Sequence, residues 1–336
     1  MAGAAIFGCE GLRLSAAEKQ FFRAADPWGF ILFARNLETP DQIRALCDDL
    51  RDTVGREAVI LIDQEGGRVA RLRAPHWLEW LPALEQMDKA GPVNGPRSMW
   101  IRARLIAAEL RDLGIDTNCA PIADLPVDGV HDIIRNRCYG RDVDTVVAAA
   151  RQVADGLLAG GVLPVLKHIP GHGRPKTDSH LELPRTDAPF EDLHSTDFAT
   201  FRALADLPMG MTAHVVYDAV DPDLCATVSP TVISMIRRDI GFDGLLMTDD
   251  LSMKALSGTL TGKVTAALAA GCDVMLHCNG DLAEMAEVAQ AAGRLSSFAA
   301  KRAKRALALR TAPQALDRQP LLAALGEMLM LAPDER

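Results

Sequence analysis

A chain of 336 residues with a formal net charge of -9 is long enough for one large domain or two ordinary ones, and its charge argues against nucleic acid or an anionic membrane as the main partner. A hydrophobic fraction of 49% supplies a sizeable core, while the longest apolar run, 264–278, is interrupted by Gly271 and Asp273 and cannot serve as a membrane span. Seven scattered Cys without a Cys-x-x-Cys pair suit a reducing compartment. Residues 1–15 lack the basic-then-apolar pattern of a signal peptide, so a soluble cytoplasmic protein is expected.

Short apolar runs recur along the chain at 4–8, 29–33, 59–62, 115–122, 162–166, 209–213, 244–247 and 273–277. Helical patterns fall between most of them, at 40–54, 96–113, 143–159, 190–205, 232–240 and 261–270, with an Ala-rich finish over 282–309. Thr39 before Pro40, and Ser229 before Pro230, each read as a helix cap followed by a proline in the first turn. Eight buried strands alternating with helices predict a parallel sheet. Closure into a (β/α)8 TIM barrel is expected, as one domain over 1–336 with a helical C-terminal end from about 282. A doubly wound open sheet is the alternative, although Gly66-Gly67 is not part of a G-x-G-x-x-G fingerprint.

In a barrel, the residues that follow each strand meet at one face. The third run ends in Asp63-Gln64-Glu65-Gly66-Gly67-Arg68-Val69-Ala70-Arg71, two acids and two arginines able to bind a polar ligand or to shape the loop by ion pairs. Arg135, Arg137 and Arg141 precede a helix, as ligand contacts or as surface charge. The fifth run opens into Lys167-His168-Ile169-Pro170-Gly171-His172-Gly173 and then Asp178-Ser179-His180, where Pro and Gly forbid a regular helix. His214, after the sixth run, suits a supporting role at least as well as direct catalysis. After the seventh run, Asp249 and Asp250 point in different directions, so one can face a pocket while the other caps the next turn.

Three other arrangements fit less well. His168 and His172 have the spacing of a helical metal pair, but Pro170, Gly171 and Gly173 remove the helix that pair needs. No G-x-S-x-G elbow supports a serine triad. A non-enzymatic sugar-binding protein would have no use for both Asp249 and the Asp178/His180 pair.

The segments 63–69, 167–173 with 178–180, and 248–253, in that order, resemble family-3 glycoside hydrolases, and the resemblance covers nearly all of the chain. Within the family the pattern is similar to the single-domain bacterial β-N-acetylhexosaminidases of cell-wall recycling. The resemblance implies a (β/α)8 barrel and a retaining mechanism, with Asp249 as nucleophile and His180, paired with Asp178, as acid/base. It implies a sugar-binding set of Asp63, Arg71, Arg137, Lys167 and His168. The implied substrate is N-acetylglucosamine β-linked to 1,6-anhydro-N-acetylmuramic acid, with or without its peptide. No metal or cofactor is expected, and a monomer is. The segment Arg174-Pro175-Lys176 is more basic than the pattern calls for, which bears on peptide or phosphate preference. A phosphorylase on the same fold, or a metal-dependent barrel hydrolase, is the competing reading.

Overall fold

The computed structural model describes residues 1–127, 132–175, 183–253 and 256–330. Eight strands form its main sheet: β1 Gly3–Phe7, β2 Pro27–Leu32, β3 Val59–Ile62, β4 Thr117–Asn118, β5 Leu163–Ile169, β6 Met209–Thr212, β7 Leu245–Met247 and β8 Met275–His277. Each falls in or beside one of the eight apolar runs, and every strand residue is buried, as parallel strands covered on both faces require. The order is β8-β1-β2-β3-β4-β5-β6-β7, with every neighbouring pair parallel. A parallel bridge between Met247 and Val274 joins the two outer strands and closes the ring. The fold is a (β/α)8 barrel, and the open-sheet alternative falls. β4 is much shorter than its run because the chain turns at Pro121, which has no N–H to give the ladder.

Thr39 and Ser229 cap their helices as expected, accepting from Gln42 N at 3.3 Å and Val232 N at 3.1 Å. The first helix, Ala16–Ala25, was not foreseen, although Ser15 and Glu18 form a full capping box that marks it in the sequence. The helix foreseen over 96–113 runs Ala83–Asp112, with an interruption at Gly91. The stretch 190–205 forms two short helices, Phe190–Ser195 and Asp197–Ala203. The Ala-rich helical finish expected over 282–309 is two helices, Leu282–Ala292 and Ser297–Leu307; Gly293, at φ 61°, ends the first, and Ser296 caps the second. A further helix, Arg318–Met328, packs against Ala83–Asp112 and ties to it through Arg318 and Glu109, 3.1 Å apart. All seven cysteines are buried free thiols. Among the described residues no helix is long and apolar enough to cross a membrane.

Candidate active site

The strands deliver their following residues to one end of the barrel. After β3, the Gln64 side chain folds the loop back on itself: its oxygen accepts from the N–H groups of Arg71 and Leu72, and its amide donates to the Leu72 carbonyl. The turn sends Asp63, Glu65 and Arg71 toward the middle of the barrel end. Lys167 arrives from β5, with its ammonium 2.8 Å from Asp63 Oδ1 and 2.7 Å from Glu65 Oε1. Arg137 grips Glu65 with two donors, at 2.9 and 2.8 Å. Arg71 reaches Asp63 Oδ2 at 3.2 Å and lies over the Phe33 ring. Arg141, by contrast, stays on the surface with Asp88.

Burial alone would raise the acids' pKa values, but the cations overcome it. Lys167, Arg71 and Arg137 hold Asp63 well below the usual carboxylate range, and Arg137 and Lys167 bring Glu65 down to about 2. Burial likewise disfavours the Lys167 charge, yet Asp63 and Glu65 keep it protonated. Glu65 belongs to the motif read from the sequence but was not assigned to the site. It is the anion that joins Arg137 to Lys167, which lie far apart in the chain.

The two adjacent aspartates after β7 divide their work. Asp250 turns back on the protein, accepting from Ser252 N and Cys278 N through one oxygen and from the Ser252 hydroxyl through the other. Asp249 accepts the Asp250 N–H at 2.8 Å through Oδ1. Among the described residues no donor reaches its Oδ2, and the side chain lines the pocket. Burial raises the Asp249 pKa, but His214, His168, the Asp250 N–H and Lys167 outweigh it, so the group stays ionised below the usual range. His214 has a supporting position. Its Nδ1 bonds with the Thr227 hydroxyl at 2.7 Å and its Nε2 with the Asp250 carbonyl at 3.1 Å, which braces the turn beneath Asp249.

His168 is held by a residue that the sequence reading missed. Asp124, two residues past the fourth apolar run, meets His168 Nδ1 at 2.7 Å and also accepts the backbone N–H of His172 at 2.7 Å. Only its place just after a strand could have pointed to it. The His172 ring stands edge-on to His168 with centroids 5.6 Å apart, and burial together with the neighbouring His168 lowers its pKa to about 4. Among the described residues no group of three His, Cys, Asp or Glu is arranged to hold a metal ion.

Asp63, Arg71, Arg137, Lys167, His168 and Asp249 thus line one pocket, of ≈ 220 Å³, with an apolar side that includes Phe33, Ile134 and Met253. Asp178 and His180 lie outside the described residues, as does Lys176. Arg174 is committed inside the protein, to Asp197 at 2.6 Å and Thr196 at 2.9 Å, so its charge is not on offer to a phosphate or peptide carboxylate.

An ionised carboxylate with one free oxygen, facing charged donors across a polar pocket at the strand ends, is the working arrangement of a barrel glycoside hydrolase. The chain belongs to glycosyl hydrolase family 3: the model described as "Glycosyl hydrolase family 3 N terminal domain" matches residues 12–308. It is 39% identical to a β-hexosaminidase of Alkalilimnicola ehrlichii over 285 residues, 82% of this chain and 81% of that one. A β-hexosaminidase of Bordetella avium is 36% identical, covering 84% of this chain and 82% of that one. Among solved structures, NagZ from Neisseria gonorrhoeae in complex with N-trifluoroacetyl-D-glucosamine superposes with a TM-score of 0.84 at 29% identity, over 98% of both chains. A family-3 β-N-acetylglucosaminidase from a Paenibacillus strain gives 0.84 at 30% identity, over 97% of this chain and 67% of that one.

Proposed function

We propose that this β-N-acetylglucosaminidase is a retaining exo-enzyme that removes N-acetylglucosamine from 1,6-anhydro-N-acetylmuramic acid, with or without the attached peptide, as part of peptidoglycan recycling in the cytoplasm. The observation that carries the reading is Asp249: ionised, half-buried, lining the pocket, restrained through one oxygen and, among the described residues, unbonded through the other. A retaining mechanism needs such a carboxylate as nucleophile and a second group that first gives and then takes a proton.

In this scheme Asp249 Oδ2 attacks the anomeric carbon, and the bond to the leaving oxygen breaks as that oxygen takes a proton from His180. Water then gives a proton to His180, attacks the same carbon and releases Asp249. The assignment of His180 and its partner Asp178 rests on the sequence pattern and on the suitability of an imidazole for both proton transfers near neutrality. Asp63, Arg71, Arg137, Lys167 and His168 bind the sugar hydroxyls, with charges already paired to one another and therefore fixed in place before the sugar arrives.

Charge balance favours water over phosphate as the acceptor. Lys167, Arg137 and Arg71 are each bound to Asp63 or Glu65, and Asp249, ionised in the same pocket, brings the acids to three against these three cations. A phosphorylase would need surplus positive charge there.

The test follows the products from an aryl β-N-acetylglucosaminide, and from the anhydro-disaccharide with and without peptide, by NMR. The expected result is free N-acetylglucosamine released first as the β-anomer, at the same rate with or without phosphate. Release of the α-anomer first, or of sugar 1-phosphate, overturns the mechanism. Hydrolysis of chitobiose in strong preference to the anhydro-disaccharide overturns the recycling role.

A further inference from the structure

We infer that Asp124 is a positioning residue of this site, fixing the tautomer and aim of the His168 imidazole and anchoring the root of the loop that leads to Asp178 and His180. The inference rests on the glycosidase reading for its kinetic consequence, but not for its geometry.

Asp124 follows β4 and is 1% exposed. Among the described residues its bonds run to one short stretch, the end of β5 and the loop that follows it. Oδ2 meets His168 Nδ1 at 2.7 Å, and Oδ1 accepts the backbone N–H of His172 at 2.7 Å and of His168 at 3.2 Å. The two segments are also joined by their backbones: Ala123 N donates to the Lys167 carbonyl at 2.9 Å, and Val127 N to the Gly173 carbonyl at 3.2 Å. They touch so closely that a Cβ on Gly173 would lie 1.8 Å from the Leu125 carbonyl oxygen. A side chain there would push the loop off Asp124.

An ionised carboxylate only accepts hydrogen bonds. Facing Asp124, His168 must therefore carry its hydrogen on Nδ1. Nε2 is then the ring atom left for the pocket, where it can hydrogen-bond a sugar hydroxyl. Asp124 is kept ionised because the two histidines offset the cost of its burial, with its pKa near 2. His172 packs edge-on against the same ring and blocks its rotation. This is the orienting carboxylate familiar from histidines that bind metals, applied here to a histidine that binds a sugar.

The experiment uses the full-length enzyme with Asp124→Asn and Asp124→Glu, read by three measurements. ¹⁵N NMR of labelled imidazoles, assigned by loss of the signal in His168→Gln, gives the tautomer. Thermal melting gives fold, and steady-state kinetics on an aryl β-N-acetylglucosaminide gives kcat and KM. The wild-type His168 should be the Nδ1–H tautomer. Asp124→Asn should lose that preference while its amide oxygen still accepts the two backbone N–H groups, and kcat/KM should fall by about 10–100-fold, the scale for an orienting partner. Asp124→Glu keeps the carboxylate and should recover the tautomer and part of the rate. A wild-type Nε2–H tautomer overturns the inference, and that reading stands even where a variant fails to fold. So does an Asn variant that melts early but turns over normally when folded. A wild type that leaves the aryl substrate untouched defeats the glycosidase reading instead, with the tautomer still deciding the role of Asp124.

Discussion

Acids wholly or partly withdrawn from water occur at both ends of this barrel, and they are used in opposite ways. At the N-terminal end, Asp116 accepts Ile60 N through Oδ1 and salt-bridges Arg51 and Arg310 through Oδ2. Asp273 likewise takes Leu246 N and Arg237 on one oxygen and Arg302 on the other. Both oxygens of each are committed to ties between strands and helices. At the C-terminal end, Asp249 leaves Oδ2 open to a cavity, and Asp63 and Glu65 hold their cations where a ligand can reach them. Pairing alone therefore does not distinguish a structural acid from a ligand-facing one. The difference is whether an oxygen remains unspent beside empty space.

The sharpest way to break this contrast is to neutralise one acid at each end. Asp249→Asn should lower kcat by about 10⁴-fold or more, as when a covalent catalyst loses a member of its machinery, with little change in Tm. A 2-fluoro sugar should label Asp249 in the wild type; label on Asp250 would reverse the assignment of the two acids. Asp116→Asn should do the converse. It removes the anion that two guanidinium groups share and should cost about 3 kcal/mol of stability by denaturant titration, near the low end for a broken buried pair because Arg51 keeps Glu57 and the Ala58 carbonyl and Arg310 keeps the Glu57 carbonyl. Its kcat per folded molecule should be unchanged, and a large fall there would collapse the distinction between the two ends.

His180→Ala should slow turnover of an alkyl glycoside by about 10²–10⁴-fold, the usual contribution of a general acid/base. An aryl glycoside needs less protonation, so its first step should suffer less and the covalent intermediate should accumulate. Azide should release it as the β-glycosyl azide. Equal losses for both leaving groups, without azide product, would move the role to another histidine.

A smaller effect is expected from Arg137→Ala. A hydrogen bond to a charged group contributes about 1.5–3 kcal/mol, so kcat/KM should fall by roughly 10–150-fold while 2-fluoro sugar still labels Asp249. Unchanged affinity for N-acetylglucosamine by calorimetry would remove Arg137 from the ligand site and make its pair with Glu65 purely structural, like those of Asp116.

The smallest effect is on acid stability. Burial opposes ionisation of Glu65 and Asp124, but Arg137 and Lys167 for the first, and His168 and His172 for the second, bring both to about 2 in the folded protein. Free carboxylates titrate near 4, so each contributes stability that is fully present above about pH 4 and is lost as pH falls toward 2. In Glu65→Gln the plot of Tm against pH should be flatter over that interval. An unchanged slope would show that the ion cluster makes no net contribution to acid stability.

Much of the barrel was legible because its signals are local. An apolar run bounded by polar turns must be buried, and eight of them alternating with helical patterns leave few ways to fold. Thr39 and Ser229 announced their helices by type and position, and Ser15 with Glu18 would have done so had the pair been read. Strand ends located Asp63, Lys167, His168 and the pair Asp249-Asp250 in advance, since a barrel gathers such residues at one face. Which of the two adjacent aspartates kept an oxygen unbonded among the described residues was another matter. Alternation of side chains separates Asp249 from Asp250 but does not say which is which, and the answer came from Ser252 and the Cys278 N–H claiming Asp250. Glu65 gained its place from Arg137 and Lys167, and Asp124 from His168, partners tens of residues away that leave no periodic trace in the chain. Apolar patterning acts between near neighbours and is written along the sequence. The pairing of buried charges depends on distances of about 3 Å between strands, and closure of the barrel set those distances.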